Sequence, residues 1–170
     1  MTTGRGEGMN DDGINVRSVG KADRNAIVSI VEGAGNLTRE EKDCAVELLD
    51  IYLNDSRQRD YFFIAAVDGS DCPIGYVCYG KTPLTDAVYD MYWIVVDERR
   101  RRSGVGAVML KRTEALLKES GARMLVAETS GLPSYDGTRA FYLRCGFIEE
   151  SRIREFYKPL DDLIVYVKRF

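Results

Sequence analysis

The sequence predicts one α/β domain (in the α+β sense) built on a mixed sheet, partly antiparallel and partly parallel, and three observations lead there. Its 170 residues fit a single hydrophobic interior. Strand-like and helix-like periodicities follow one another in the order β-α-α-β-β-β-α-β-α-β-β. Some strands are joined by hairpin turns and others by helical crossovers, so the sheet must contain both kinds of pairing. A doubly wound order is not met.

Each element has its own signal. Residues 1–13 are rich in Gly, Asp and Asn and lack an apolar run, so a short disordered lead-in is expected and a secretory signal is not. Ile14 to Val19 suits a short strand, and Lys21 to Glu32 carries Ala26, Ile27, Ile30 and Val31 at helical spacing. After Gly33-Ala34-Gly35, Thr38 with Glu41 three residues on fits a capping box. The helix it opens is expected to bury Cys44, Leu48, Leu49, Ile51 and Tyr52 and to fray near Asn54-Asp55. Tyr61 to Val67, Ile74 to Tyr79 and Val88 to Val96 are rich in β-branched and aromatic residues, with turns at Asp68-Gly69 and Thr82-Pro83. Val105 to Leu117 returns to helical spacing. Val105, Val108, Met109, Ala115 and Leu116 are expected inside, Lys111, Arg112, Glu114 and Lys118 mostly outside, and Gly121 as a left-handed cap. Arg123 to Glu128 reads as a buried strand and Ser134 to Cys145 as a short helix ended by Gly146. Phe147 to Phe156 and Leu163 to Phe170 then pair as a hairpin around Lys158 to Asp162.

Composition narrows the function classes. With 45% hydrophobic and 30% charged residues the chain matches a globular protein rather than a disordered or membrane one. Apolar stretches such as Tyr61 to Val67 fall far short of the roughly 20 residues that span a bilayer, so no membrane partner is expected. A net charge of −3 argues against a protein whose main business is nucleic-acid phosphate. Histidine is absent, which excludes Cys/His metal sites and histidine-based hydrolases. Cys44, Cys72, Cys78 and Cys145 form no CxxC pair, so reduced thiols, a cytoplasmic location and no bound metal are expected. Cys145, just before Gly146, suits a small buried side chain.

The sharpest local feature is Arg101-Arg102-Ser103-Gly104-Val105-Gly106, between an apolar strand and an amphipathic helix. At such a junction unpartnered N–H groups, the helix dipole and missing Cβ atoms suit a pyrophosphate, although glycines there also serve a plain tight turn. Neither the dinucleotide nor the P-loop fingerprint is met. The run Arg99 to Arg102 reads as a solvated loop, a basic patch, or an attractor for phosphate.

Two motifs in order carry a family resemblance. Arg101, Gly104 and Gly106 match [QR]-x-x-G-x-[GA] after an apolar strand, and Ala140 to Phe147 matches an FYxxxGF helix ending. The sequence thus resembles the GNAT superfamily of acyl-CoA-dependent N-acetyltransferases, from about Ile14 to Phe170. Two positions depart from the family pattern: Arg102 stands where many members have glycine, and Tyr135 where many have asparagine.

The resemblance implies a single GNAT domain over 14–170, with helices on both faces and a central splayed strand pair. It implies acetyl-CoA as co-substrate, an amine acceptor of unstated identity, direct attack through a tetrahedral intermediate, and a chain compatible with a homodimer. Ile94, Val95 and Val96 would pair with the pantetheine arm, a backbone N–H near Val95 would face the thioester oxygen, and Arg101 to Gly106 would hold the pyrophosphate. Tyr142 matches the family's general acid, its alternative being a core aromatic. Asp90, where histone-acetylating members carry a glutamate, and Glu128, at the carboxyl end of a parallel strand, are the candidate bases. Both also read as ordinary edge carboxylates. The acceptor pocket is expected between Lys21 to Asp55 and the last hairpin, with Tyr61, Tyr135, Tyr157 and Arg154 as candidate lining. A non-catalytic acyl-CoA-binding module is the alternative function.

Overall fold

A computed structural model describes residues 14–170, and the lead-in expected for 1–13 lies outside them. The chain forms β1 (Asn15–Ser18), α1 (Arg24–Gly33), α2 (Arg39–Asn54), β2 (Phe62–Val67), β3 (Pro73–Lys81) and β4 (Val88–Val96). It continues with α3 (Val105–Glu119), β5 (Met124–Ser130), α4 (Asp136–Arg144), β6 (Ile148–Lys158) and β7 (Asp161–Arg169). This is the element order read from the sequence. One seven-stranded sheet results, ordered β1-β2-β3-β4-β5-β7-β6. Every neighbouring pair is antiparallel except β4 and β5, which α3 joins in parallel.

Because strand side chains alternate between faces, the sheet builds two cores. On one face Val77, Tyr79 and Met91 pack under Val105, Met109 and Leu110 of α3 and Tyr142 of α4. On the other, Phe63, Tyr76, Cys78 and Val95 pack under Ile27, Ile30 and Val31 of α1 and Ala45 and Leu49 of α2. The capping box opens α2 as expected: the Glu41 N–H donates to the Thr38 hydroxyl at 3.2 Å and the Thr38 N–H to the Glu41 carboxylate at 2.7 Å. Gly121 and Gly146 follow α3 and α4 with the left-handed φ expected of them.

Two helix faces differ from expectation. Cys44 is exposed, because the i, i+4 pair Ala45 and Leu49 faces the sheet and Cys44 stands about 100° round the helix from it. Leu48, Ile51 and Tyr52 are only half-buried. In α3 the buried stripe is Val105, Met109, Leu110, Thr113 and Leu117, while Val108, Ala115 and Leu116 sit at its edge. Thr113 can be inside because its hydroxyl donates to the Met109 carbonyl one turn back at 3.0 Å.

Candidate active site

The parallel pair β4/β5 is joined only over Val88 to Asp90 against Met124 to Val126. Beyond those residues β4 stays with β3 and β5 stays with β7, so the sheet opens at its centre. The β3/β4 register skips Tyr92, a bulge that re-aims the strand where the opening begins. Past it, the Asp97 N–H donates to the Ile74 carbonyl at 2.9 Å. Antiparallel alternation then assigns the Val95 backbone to its partner Tyr76 and turns the N–H and C=O groups of Ile94 and Val96 toward the opening. The expectation of an N–H near Val95 thus moves one residue to either side, since the bond at Asp97 sets which residues the β3 ladder consumes. An unpaired strand edge is a template for an extended ligand.

At the end of β4 lies the turn Arg101 to Gly106. Gly104 caps α3 with φ 81°, and a Cβ there would meet no atom within 4 Å, so the space before it is open. Among the described residues, no backbone N–H from Arg102 to Ala107 donates to a protein group. These donors and the α3 dipole suit an anion. A Cβ on Gly106 would lie 3.3 Å from the Phe141 ring, so α4 packs on the first turn of α3. Three of the four consecutive arginines are engaged, Arg99 with Asp97, Arg100 with Asp68 and Arg101 with both Glu98 and Asn36. Arg102 has no acidic partner among the described residues and holds φ 62°, the conformation that glycine takes most easily. Beside the turn is a hollow of about 520 Å³, lined by Ile14, Asp68, Ser70, Ile74, Ser103 and Val105.

Asp90 and Glu128 both project on the α1/α2 face, opposite to Met91, Leu125 and Ala127. Asp90 accepts a hydrogen bond from the Thr82 hydroxyl at 2.7 Å. Glu128 makes no hydrogen bond or ion pair among the described residues. Although much of its side chain is exposed, desolvation and then the Asp90 charge hold its carboxyl above the ordinary glutamate value. Tyr142 lies in the opposite core, 5% exposed, between Phe141, Phe147 and Tyr166. Burial pushes its phenol well above the usual value.

The expected acceptor aromatics divide. Tyr135 donates to Glu41 at 3.0 Å, tying the segment before α4 to the first turn of α2. Tyr157 is half exposed, and its phenol is raised by burial first and then by the charges of Glu128, Asp161 and Glu41. Tyr61 meets Tyr92 edge-on at 5.7 Å. Arg154 is exposed and acts on Asp162 instead. Sequence reasoning missed Glu41, Asp161 and Tyr92 as members of this site. Glu41 was legible only as a cap and Asp161 only as hairpin, and nothing local marks either as part of a pocket.

An opening between parallel strands that ends at a glycine turn and a helix start suits an extended ligand with an anionic end. The sequence model of the Acetyltransferase (GNAT) family matches residues 32–147, so the chain belongs to that family and is an acetyltransferase. A solved structure from Desulfovibrio desulfuricans, assigned to the same family, shares 38% identity over 92% of this chain and 98% of that one, with a TM-score of 0.87. The ribosomal-protein-S18-alanine N-acetyltransferase of Escherichia coli shares 16% identity over 92% and 93% of the two chains, TM-score 0.73. A Bacillus anthracis structure assigned as a streptothricin acetyltransferase, in complex with acetyl coenzyme A, shares 20% identity over 71% and 67%, TM-score 0.62. These last two show the common fold. No match was found among the sequences of curated proteins. Among the described residues, no helix is long and apolar enough to cross a membrane, and no group of three or more acidic, cysteine or histidine side chains is arranged around a metal.

Proposed function

We propose that residues 14–170 act as one catalytic unit that moves an acetyl group from acetyl-CoA to a primary amine. The observation that carries this is the β4/β5 opening, which begins beyond Asp90 and Val126 and ends at the unpartnered N–H groups of Arg102 to Ala107. The coenzyme supplies the acetyl thioester. The backbone edges of Ile94 and Val96 hold its extended arm, and the α3 start with Arg102 neutralises its pyrophosphate.

An alkylamine with a pKa near 10.4 is about one part in a few thousand neutral at pH 7, a cost of roughly 4–5 kcal/mol. Glu128 takes the amine proton, directly or through water, and its raised pKa makes it a stronger base than an ordinary glutamate. Asp90 sustains that shift. As the amine nitrogen bonds to the thioester carbon, the Ile94 N–H faces the oxygen that gains charge. The carbon–sulfur bond then breaks, Tyr142 protonates the departing thiolate, and the second proton of the new amide nitrogen leaves to water, from which the tyrosinate is reprotonated. The elevated pKa of Tyr142 makes transfer to the thiolate more uphill than for a free phenol, so it requires direct contact between hydroxyl and sulfur.

Thiol release from acetyl-CoA in the presence of an amine acceptor tests the proposal. Tyr142→Phe keeps the packed ring, so acetyl-CoA affinity should hold while turnover falls about 10²-fold or more. A wild-type rate in this variant, with chemistry limiting, removes Tyr142 from the mechanism.

A further inference from the structure

The acceptor side of the opening has an unusual charge balance. Glu41 accepts from Tyr135, Asp161 accepts from Ser130, which stands two residues beyond Glu128 on the same face of β5, and Asp90 projects on that face from β4. Among the described residues none of the four pairs with a lysine or arginine, whereas carboxylates elsewhere, such as Asp23, Asp50 and Glu114, do. Asp161 is the most telling. It is 5% exposed, and only its Oδ1 has a partner, the Ser130 hydroxyl. Its Oδ2 accepts no hydrogen bond among the described residues, so that oxygen can receive one from an ammonium.

Basic side chains on the surrounding elements are directed elsewhere. Arg139 donates to the carbonyls of Ser130 and Leu132, Lys42 to that of Glu32, and Arg152 to Glu149 and Asp162. Arg154 and Lys158 are exposed on β6, and Lys158, although the cross-strand partner of Asp161, makes no ion pair with it among the described residues. The charge missing from the site is therefore one a ligand brings. The two tyrosine rings suit it, since an ammonium is attracted to an aromatic face. The carboxylates also divide in two: Asp90 and Glu128 adjoin the β4/β5 opening, while Glu41 is bonded to Tyr135 and Asp161 to Ser130 at the end of β5. The Tyr135–Glu41 hydrogen bond closes the gap between α2 and the segment before α4, which favours a small acceptor over a polypeptide.

We infer that the acceptor is a small aliphatic diamine or polyamine, with one amine delivered to Glu128 and a second, charged one held by Glu41 and Asp161 against the rings of Tyr135 and Tyr157. The inference rests on the amine-acetylation reading and adds the class of amine. In the reaction the near nitrogen loses its proton to Glu128 and gains the acetyl group, while the distal ammonium stays protonated throughout.

The test compares 1,4-diaminobutane and spermidine with n-butylamine, by thiol release under saturating acetyl-CoA and by calorimetric binding to the protein–CoA complex. The diamine should exceed the monoamine in kcat/KM by about tenfold or more, and Asp161→Asn or Glu41→Gln should reduce that ratio at least about fivefold. Equal values for the two amines overturn the inference, as does a variant that lowers both in proportion, or a basic peptide used better than either. Two variants on different elements guard against a folding defect in one. Tight diamine binding without acetyl transfer upholds the ligand class and sinks the transferase reading of this site. Neither binding nor transfer sinks both.

Discussion

Glu128 shows how one residue's surroundings decide its role. Among the described residues it has no partner to stabilise its charge, it is partly desolvated, and Asp90 repels a second negative charge beside it. All these effects favour the protonated form, so its native pKa lies above its unfolded value. Its contribution to stability is thus present at acid pH and lost as pH rises through the native value. Activity runs the other way, because the base must be ionised. The acid limb of kcat/KM should lie above 4.5, the ordinary value. In Asp90→Asn it should move to lower pH, and in Glu128→Gln it should vanish with a rate loss of about 10²-fold. Unchanged profiles in both variants would leave proton removal to water. The sequence marked both carboxylates through their strand positions, but their coupling depends on a three-residue parallel pairing that no local pattern encodes.

The elements show which signals travel from sequence to structure. Capping boxes, helix-ending glycines and turn residues act within four or five positions, so α2, α3 and α4 start or stop where the sequence says. Helix faces depend on what the sheet presents. Cys44 and Leu110 could not be assigned without it, because several apolar stripes on α2 and α3 fit the same spacing. The acceptor site is the extreme case, since Glu41, Asp161 and Tyr157 meet only after α2 and the β6/β7 hairpin have packed. Close approach between elements has a direct test at Gly80 of β3. A Cβ there would fall 1.9 Å from the Asp60 carbonyl oxygen and 3.1 Å from the ring of Tyr92, the bulged residue. Gly80→Ala should lose about 2–3 kcal/mol or more in chemical denaturation. Gly69→Ala, with no atom within 4 Å, should stay within about 0.5 kcal/mol. Equal losses would mean that the β3/β4 bulge does not depend on that approach.

At the scale of the whole molecule, the seven-stranded sheet of the described residues separates two cores and opens between the parallel strands β4 and β5. The opening brings a strand edge, a helix start and two carboxylates to one place, and each side core holds part of the site: Tyr142 and Gly106 on one face, Glu41, Asp90 and Glu128 on the other. The central claim is that acetyl-CoA lies in that opening with its pyrophosphate on the turn before α3. Calorimetric titration of acetyl-CoA into the wild type and Gly104→Leu tests this most directly, because a Cβ at Gly104 has no protein atom within 4 Å and the side chain grows toward the free N–H groups, while the strain of its left-handed φ is read separately as a loss of stability. With folding confirmed by thermal melting, affinity should fall tenfold or more, about 1.4 kcal/mol. Unchanged affinity in a folded Gly104→Leu protein would contradict the claim.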